Sequence, residues 1–275
     1  MSYARPATLH EAIRALQAGG ARVLAGGTDL YPATQAQTLA EPVLDLTAIP
    51  ALQGITRHGQ GLRIGACTTW TAIADAALPP ALAALQQAAR QVGGRQIQNA
   101  GTIGGNLCNA SPAADGVPPL LACDAGVELA GPDGTRLLPL ADFITGPRRT
   151  ALGKGEVLTA VLIPESGLSG ASAFGKLGAR AHLVISIVMV AARLEVRNGR
   201  IAGAALAVGA CAPVARRLPG VEAMLKDLTP QDAAARITPE AIAPHLAPID
   251  DIRATAAYRA EAAAALLARA VGGLA

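Results

Sequence analysis

Asn99-Ala100-Gly101-Thr102-Ile103-Gly104-Gly105-Asn106-Leu107-Cys108-Asn109-Ala110-Ser111-Pro112 is the stretch on which the reading of this chain turns. It crowds glycines, small hydroxyls and amide side chains together, with no charge before Asp115. A segment this poor in large apolar side chains reads as a loop that packs no core. Its glycines let the main chain approach a large polar ligand, and its N–H groups are donors. A stretch of the same character lies upstream, Leu24-Ala25-Gly26-Gly27-Thr28-Asp29-Leu30. Two such loops imply two sides of one ligand that carries a pyrophosphate.

Neither loop fits G-x-G-x-x-G or the phosphate loop with its lysine, so neither of those nucleotide folds is indicated. Thr28, Thr102, Asn106 and Ser111 are neutral donors, which hold phosphate by orientation rather than by net charge. Asp29 either touches the ligand or closes an Asx-turn. Asp115 either accepts from a ribose hydroxyl or a ring N–H, or caps the helix that Pro118 opens.

Around these loops the periodicities alternate. Thr8 and Glu11 form a capping box before a helical stripe of Leu9, Ala12, Ile13 and Leu16, which Gly19-Gly20 ends. Residues 22–25 read as a strand running into the first loop, so that loop sits at a strand's carboxyl end, where α/β folds bind ligands. Residues 43–46 and 62–66 are further strands. Pro79-Pro80 opens a helix with Leu82, Leu85, Ala89 and Val92 inward. A short helix starts at Pro118, and residues 127–129 form a strand before the turn Gly131-Pro132-Asp133-Gly134. After a linker at 165–170, residues 173–177, 183–192 and 201–208 read as strands of an antiparallel sheet. A final helix from about Thr255 to Val271 carries Tyr258, Ala262, Leu266 and Ala270 on one stripe.

Composition narrows the function. Only 16% of residues are charged and the net charge is +3, which excludes a nucleic-acid binder with a concentrated basic face. Arg148-Arg149 and Arg216-Arg217 read as solvated loop positions. The longest apolar run, 183–192, is well short of the ~20 residues of a membrane span and is β-branched like a buried strand. Arg5, His10 and Glu11 interrupt any signal-peptide core, so a cytoplasmic location is expected. Cys67, Cys108, Cys123 and Cys211 form no C-x-x-C pair and read as free buried thiols. With His10, His58, His182 and His245 scattered, no metal site is expected in this chain.

The two glycine stretches, the second extended through Pro112-Ala113-Ala114-Asp115, resemble the FAD-binding loops of the molybdenum hydroxylase flavoproteins. These are the medium subunits of the xanthine dehydrogenase and carbon monoxide dehydrogenase family. Phe174-Gly175-Lys176-Leu177-Gly178-Ala179-Arg180 is similar to that family's F-x-K-x-G-x-R segment, and Gly209 to Arg216 and Ala256-Ala257-Tyr258-Arg259 to its C-terminal landmarks.

The resemblance implies an α+β chain. It implies an FAD-binding region of the PCMH type over 1–165, with subdomains at about 1–53 and 54–165. A C-terminal domain of antiparallel sheet and helices over 171–275 would follow, with FAD between the halves. Leu24, Ala25, Gly26, Gly27, Thr28, Asp29 and Leu30 would wrap the pyrophosphate. Gly101, Thr102, Gly104, Gly105, Asn106, Cys108, Asn109 and Asp115 would stand on its other side. Leu158 and Lys176 match positions at the flavin end, where a cation stabilises the reduced, electron-rich ring; the other reading of Lys176 is a surface lysine paired with an acid.

The implied function is an FAD-carrying oxidoreductase subunit that passes electrons from a partner's iron–sulfur clusters to NAD or another acceptor. The implied partners are an iron–sulfur small subunit and a molybdenum-cofactor large subunit. No residue of this chain need act as acid or base. Some relatives place an aromatic ring before the second loop; residues 83–99 hold none, which leaves the acceptor open. Two other readings stand beside this one: a self-sufficient FAD-dependent reductase or oxidase on the same fold, and a non-catalytic nucleotide-binding assembly module.

Overall fold

The structure is a computed structural model that describes residues 3–34 and 39–274. The capping box forms as read. The Thr8 hydroxyl accepts from the Glu11 N–H, and the Glu11 carboxylate takes the Thr8 N–H in return. That opens a helix over Leu9–Gln17, after which Gly19 and Gly20, both at positive φ, turn the chain. Strands β1 (Tyr3–Ala4), β2 (Arg22–Leu24) and β3 (Val43–Asp45) form a parallel sheet in the order β1-β3-β2. The helix lays Ala12 on the same small core as Leu44, Leu46, Ile49 and Leu52.

The next unit is built on strands β4 (Ile55–His58), β5 (Gly61–Gly65), β6 (Gly126–Gly131) and β7 (Gly134–Pro139). A small pair follows, β8 (Ile144–Gly146) with β9 (Arg149–Thr150), and then β10 (Val157–Ile163). The large sheet runs β4-β5-β10-β6-β7 and is antiparallel throughout. Central β10 is buried almost end to end, which is why its sequence is a continuous apolar run broken by one threonine. Short helices over Trp70–Asp75, Ala83–Ala89, Ile103–Asn109 and Val117–Ala122 bury Ile73, Leu85, Leu107 and Leu120 against Val127, Leu129 and Val161.

The remaining strands, β11 (Ala171–Leu177), β12 (Val188–Arg197), β13 (Arg200–Gly209) and β14 (Arg216–Arg217), pair antiparallel in chain order. The helices Pro219–Met224, Pro230–Arg236 and Ala256–Gly272 close their core. Arg193 of β12 fastens this half to the preceding one by donating to the carbonyls of Ala122, Ser166 and Ser169. Ser172 accepts the Ala84 N–H across the same boundary. No described helix is long and apolar enough to cross a membrane.

Four expectations change. Residues 99–112 are not a bare loop. They end one helix, Arg95–Ala100, and supply a second, Ile103–Asn109, whose N-cap is Thr102. They do pack a core: Ile103 and Leu107 are wholly buried, and tertiary burial outweighs the poor helix propensity of adjacent glycines. The Trp70–Asp75 helix was not anticipated, because its Thr69 cap introduces only six residues. The run 183–192 is strand only from Val188 onward; Leu183 has positive φ, and Leu183 and Ile185 are exposed. On the last helix the buried face is Arg259, Ala263 and Leu267, one residue on from the expected stripe, and Tyr258 is exposed. An alanine-rich helix buries whichever face its neighbours offer, and alanine alone does not mark that face.

Candidate functional site

A cavity of about 870 Å³ opens where the three larger sheets meet. Every residue proposed from the sequence lines it: the whole of 24–30, Gly101, Thr102, Gly104, Gly105, Asn106, Cys108, Asn109, Asp115, Leu158 and Lys176.

The first loop leaves β2 at buried Leu24 and reverses at Gly27, whose φ of +71° suits glycine. Tyr31 and Ala33 donate back to the carbonyls of Gly27 and Asp29. Among the described residues, no protein acceptor takes the N–H groups of Gly26, Gly27, Thr28, Asp29 or Leu30. The loop that lines the cavity therefore carries a row of donors with no acceptor among the described residues.

The second segment works differently. Its leading N–H groups are used by protein: Ile103 donates to Thr68 O, Gly104 to Ala66 O and Gly105 to the Thr102 hydroxyl, at 3.0, 2.8 and 3.0 Å. The expectation of free amides thus holds for the first loop only. The second supplies shape. A Cβ on Gly104 would lie 2.7 Å from Ala66, whereas one on Gly105 would meet only the Thr102 hydroxyl, at 2.9 Å, and otherwise face open space. Gly101 and Gly116 rest on buried Trp70, which a Cβ at either place would approach to 3.3 or 2.5 Å. The side-chain oxygen of Asn106 is buried with no protein donor among the described residues.

The two segments touch. A Cβ on Gly26 would fall 2.0 Å from the Ala100 carbonyl oxygen and 2.8 Å from Gly101 Cα. Gly26→Ala must therefore push the walls apart, and is expected to cost about 1–3 kcal/mol as overpacking. Urea unfolding of the variant beside the parent chain checks this; equal midpoints would refute the contact.

At the opposite wall Lys176, on β11, sits with Asp115. Lys176 Nζ donates to Asp115 Oδ2 at 2.6 Å and to Gln91 O at 3.3 Å, and Ser186 Oγ donates to Asp115 Oδ1 at 2.5 Å. Both partners are nearly excluded from solvent. Burial pushes the Asp115 carboxyl up, while Lys176 and the Ser186 hydroxyl pull it down. The helix-cap alternative for Asp115 falls, since Gly116 is the N-cap of the Val117–Ala122 helix. Lys176 is paired with an acid, but it is buried rather than on the surface.

Three thiols, Cys67, Cys123 and Cys211, are buried, and burial pushes each up to about 12, so they are inert. Cys108 departs from the expectation: it is exposed and faces the cavity. Arg148 is an exposed turn position, as read, but it also has a structural part. Held at φ +58°, it donates to the carbonyl and side-chain oxygens of Asn109 and so closes the C-terminal end of the glycine helix, at the cavity wall. The reading of the sequence also passed over Trp70 and the 183–186 wall. Trp70, as the chain's single tryptophan directly after two threonines, carried a signal; the wall carried none.

Residues 1–166 match the family described as FAD binding domain in molybdopterin dehydrogenase, and residues 173–274 match CO dehydrogenase flavoprotein C-terminal domain. The chain is 34% identical over 263 residues to the xanthine dehydrogenase FAD-binding subunit of Escherichia coli O157:H7, covering 94% of this chain and 90% of that one. It is 32% identical over 263 residues to the nicotine 6-hydroxylase medium subunit of Paenarthrobacter nicotinovorans, covering 94% and 91%. The solved structure of reconstituted CO dehydrogenase from Oligotropha carboxidovorans matches with a TM-score of 0.90 at 30% identity, covering 100% of this chain and 98% of that one. With a two-walled cavity at the junction of its sheets and both halves matched in order, the chain belongs to the FAD-binding medium subunits of the xanthine and carbon monoxide dehydrogenase family.

Proposed function

We propose that this chain carries FAD in the cavity between its halves and serves as the electron-transfer subunit of a multi-subunit molybdenum hydroxylase. Electrons would arrive from iron–sulfur clusters on a small partner subunit, after oxidation of substrate at a molybdenum-cofactor large subunit. They would leave to NAD or another external acceptor, and the assembly would work in the cytoplasm. The reading divides the chain into an FAD-binding domain at 1–165, with parts at about 1–53 and 54–165, and a C-terminal domain at 171–275. The three larger sheets with their separate buried clusters support that division.

The observation that carries the proposal is the convergence of 24–30, 101–109, Asp115, Leu158 and Lys176, far apart in sequence, on one cavity. The residues suit FAD. The first loop's free N–H groups match a diphosphate bridge. The bare face of Gly105 leaves room for close approach, and the unpartnered Asn106 oxygen awaits a donor. The volume lies within the range of ligand sites. Flavin supplies the conversion between two-electron and one-electron transfer. This chain's residues bind it, orient it and set its potential: Leu158 offers an apolar wall, and the Lys176 ammonium stands as the cation toward which negative charge is drawn.

The visible absorption spectrum of the purified chain, before and after adding FAD, tests the proposal. A flavin spectrum with saturating, stoichiometric uptake is expected. A colourless chain that takes up no FAD would overturn it, and rapid turnover of a soluble donor by the isolated chain would instead favour the self-sufficient reductase. Mass identification of co-purifying chains tests the partners.

A further inference from the structure

Arg259 is 1% exposed, in the first turn of the Ala256–Gly272 helix. Its guanidinium is committed to three separate places. Nη1 donates to the carbonyls of Ile187 and Ala210, and Nη2 donates to Asp251 Oδ1 at 2.7 Å. A cation buried this deeply is costly to desolvate, so its ion pair with Asp251 is weak evidence of a stabilising role. The bonds it makes therefore point to a task other than stability.

Those bonds lead to the cavity. Ile187 ends the 178–186 loop: its N–H donates to Leu177 O at 2.8 Å, and its carbonyl is taken by Arg259. The residue before it, Ser186, is 1% exposed and donates to Asp115 Oδ1. The other Asp115 oxygen holds the Lys176 ammonium. Ala210, also held by Arg259, donates its N–H to Pro112 O, three residues before Asp115. Both segments that locate the Asp115 carboxylate are thus pinned by one guanidinium, and Asp251 fixes that guanidinium from behind.

We propose that Arg259, steadied by Asp251, is a positioning residue: through Ile187 and Ser186 it sets the Asp115 carboxylate, and through Asp115 the place of the Lys176 ammonium beside the flavin. The inference rests on the FAD reading above.

The full-length chain tests it in four forms: Arg259→Met, Ser186→Ala, the two combined, and Arg259→Lys. FAD titration and the flavin midpoint potential are the readouts. Arg259→Met is expected to weaken FAD binding about tenfold and to lower the potential in the direction of Ser186→Ala. The double variant should fall no further than the larger single change, because residues acting through one network do not add. Arg259→Lys, which keeps the charge without the fork, should recover part of both effects. A folded Arg259→Met chain with parental potential, or shifts that simply add in the double variant, would overturn the proposal.

Should Arg259→Met fail to fold, Arg259→Lys and Asp251→Asn decide on the same two readouts, and parental values in both would overturn it. Trypsin cleavage after Arg180 in the FAD-free chain is a readout that needs no flavin. It should rise about tenfold in Arg259→Met as the loop is released, and unchanged cleavage counts against the pinning whether or not the parent binds FAD. Failure of the parent to bind FAD is failure of the functional reading alone.

Discussion

Gly105→Val yields a chain that folds and does not keep its flavin. The position lies in the first turn of the Ile103–Asn109 helix, where a Cβ meets only the Thr102 hydroxyl and otherwise projects into open space. Fold stability should therefore change little, within about 1 kcal/mol. Valine is a slightly better helix former than glycine, and crowding the Thr102 cap costs at most the worth of one cap. Affinity should change far more, because the two valine methyl groups occupy ligand volume that neighbouring backbone, packed on Ala66, cannot vacate. A loss on the order of 100-fold, about 2.7 kcal/mol, is expected. Gly105→Ala should fall between the two. Thermal melting of the FAD-free chains and titration with FAD separate the two effects; stoichiometric flavin in the valine variant would remove Gly105 from the site.

Lys176→Met removes the cation from a carboxylate that is itself almost fully buried. Breaking a buried pair on one side leaves an uncompensated charge and costs about 3–5 kcal/mol. Asp115 is already pushed up by burial and held down by Lys176 and Ser186; without the ammonium it rises further and takes up a proton. The sign of the pH dependence follows. A carboxyl whose pKa is higher folded than unfolded adds stability below its unfolded pKa and loses it as pH rises through its folded pKa. The melting deficit of Lys176→Met should therefore be smallest near mildly acidic pH and largest at neutral pH. Asp115→Asn in the same chain should remove most of it. In the flavin-loaded chain the same substitution should lower the midpoint potential, since no cation then favours the reduced ring. A melting deficit independent of pH would show that Asp115 is not the group left stranded.

Most of the elements were legible because their signals are local. Thr8 with Glu11, the glycine turn at 131–134 and the apolar runs at 62–66 and 201–208 each act over a few residues, and each forms where its chemistry puts it. The failures share one cause. Residues 99–112 read as loop because glycine disfavours helix, yet Gly104 is needed to seat the helix against Ala66, and Gly101 and Gly116 to lie on Trp70. Glycine chosen for close packing and glycine chosen for a ligand look alike in a sequence. Likewise Leu183 and Ile185 belong by hydropathy to the strand that starts at Val188, but the Leu177–Ile187 backbone bond and the Ser186 hydroxyl draw them out of it and onto the cavity.

By itself the sequence determined the capping-box helix at Leu9–Gln17, the long helix behind Thr255, several strands and turns and the two glycine stretches, because these rest on side-chain spacing and on backbone freedom over a few neighbours. Only the tertiary structure decided which donors are free. It spent the amides of Ile103 to Gly105 on Thr68, Ala66 and Thr102, and left those of 26–30 without an acceptor among the described residues. It also joined Asp115 to Lys176 and Ser186, and Ser186 through Ile187 to Arg259, across separations of tens of residues. Hydrogen bonds and burial of that range depend on where distant segments meet, and no local pattern records it.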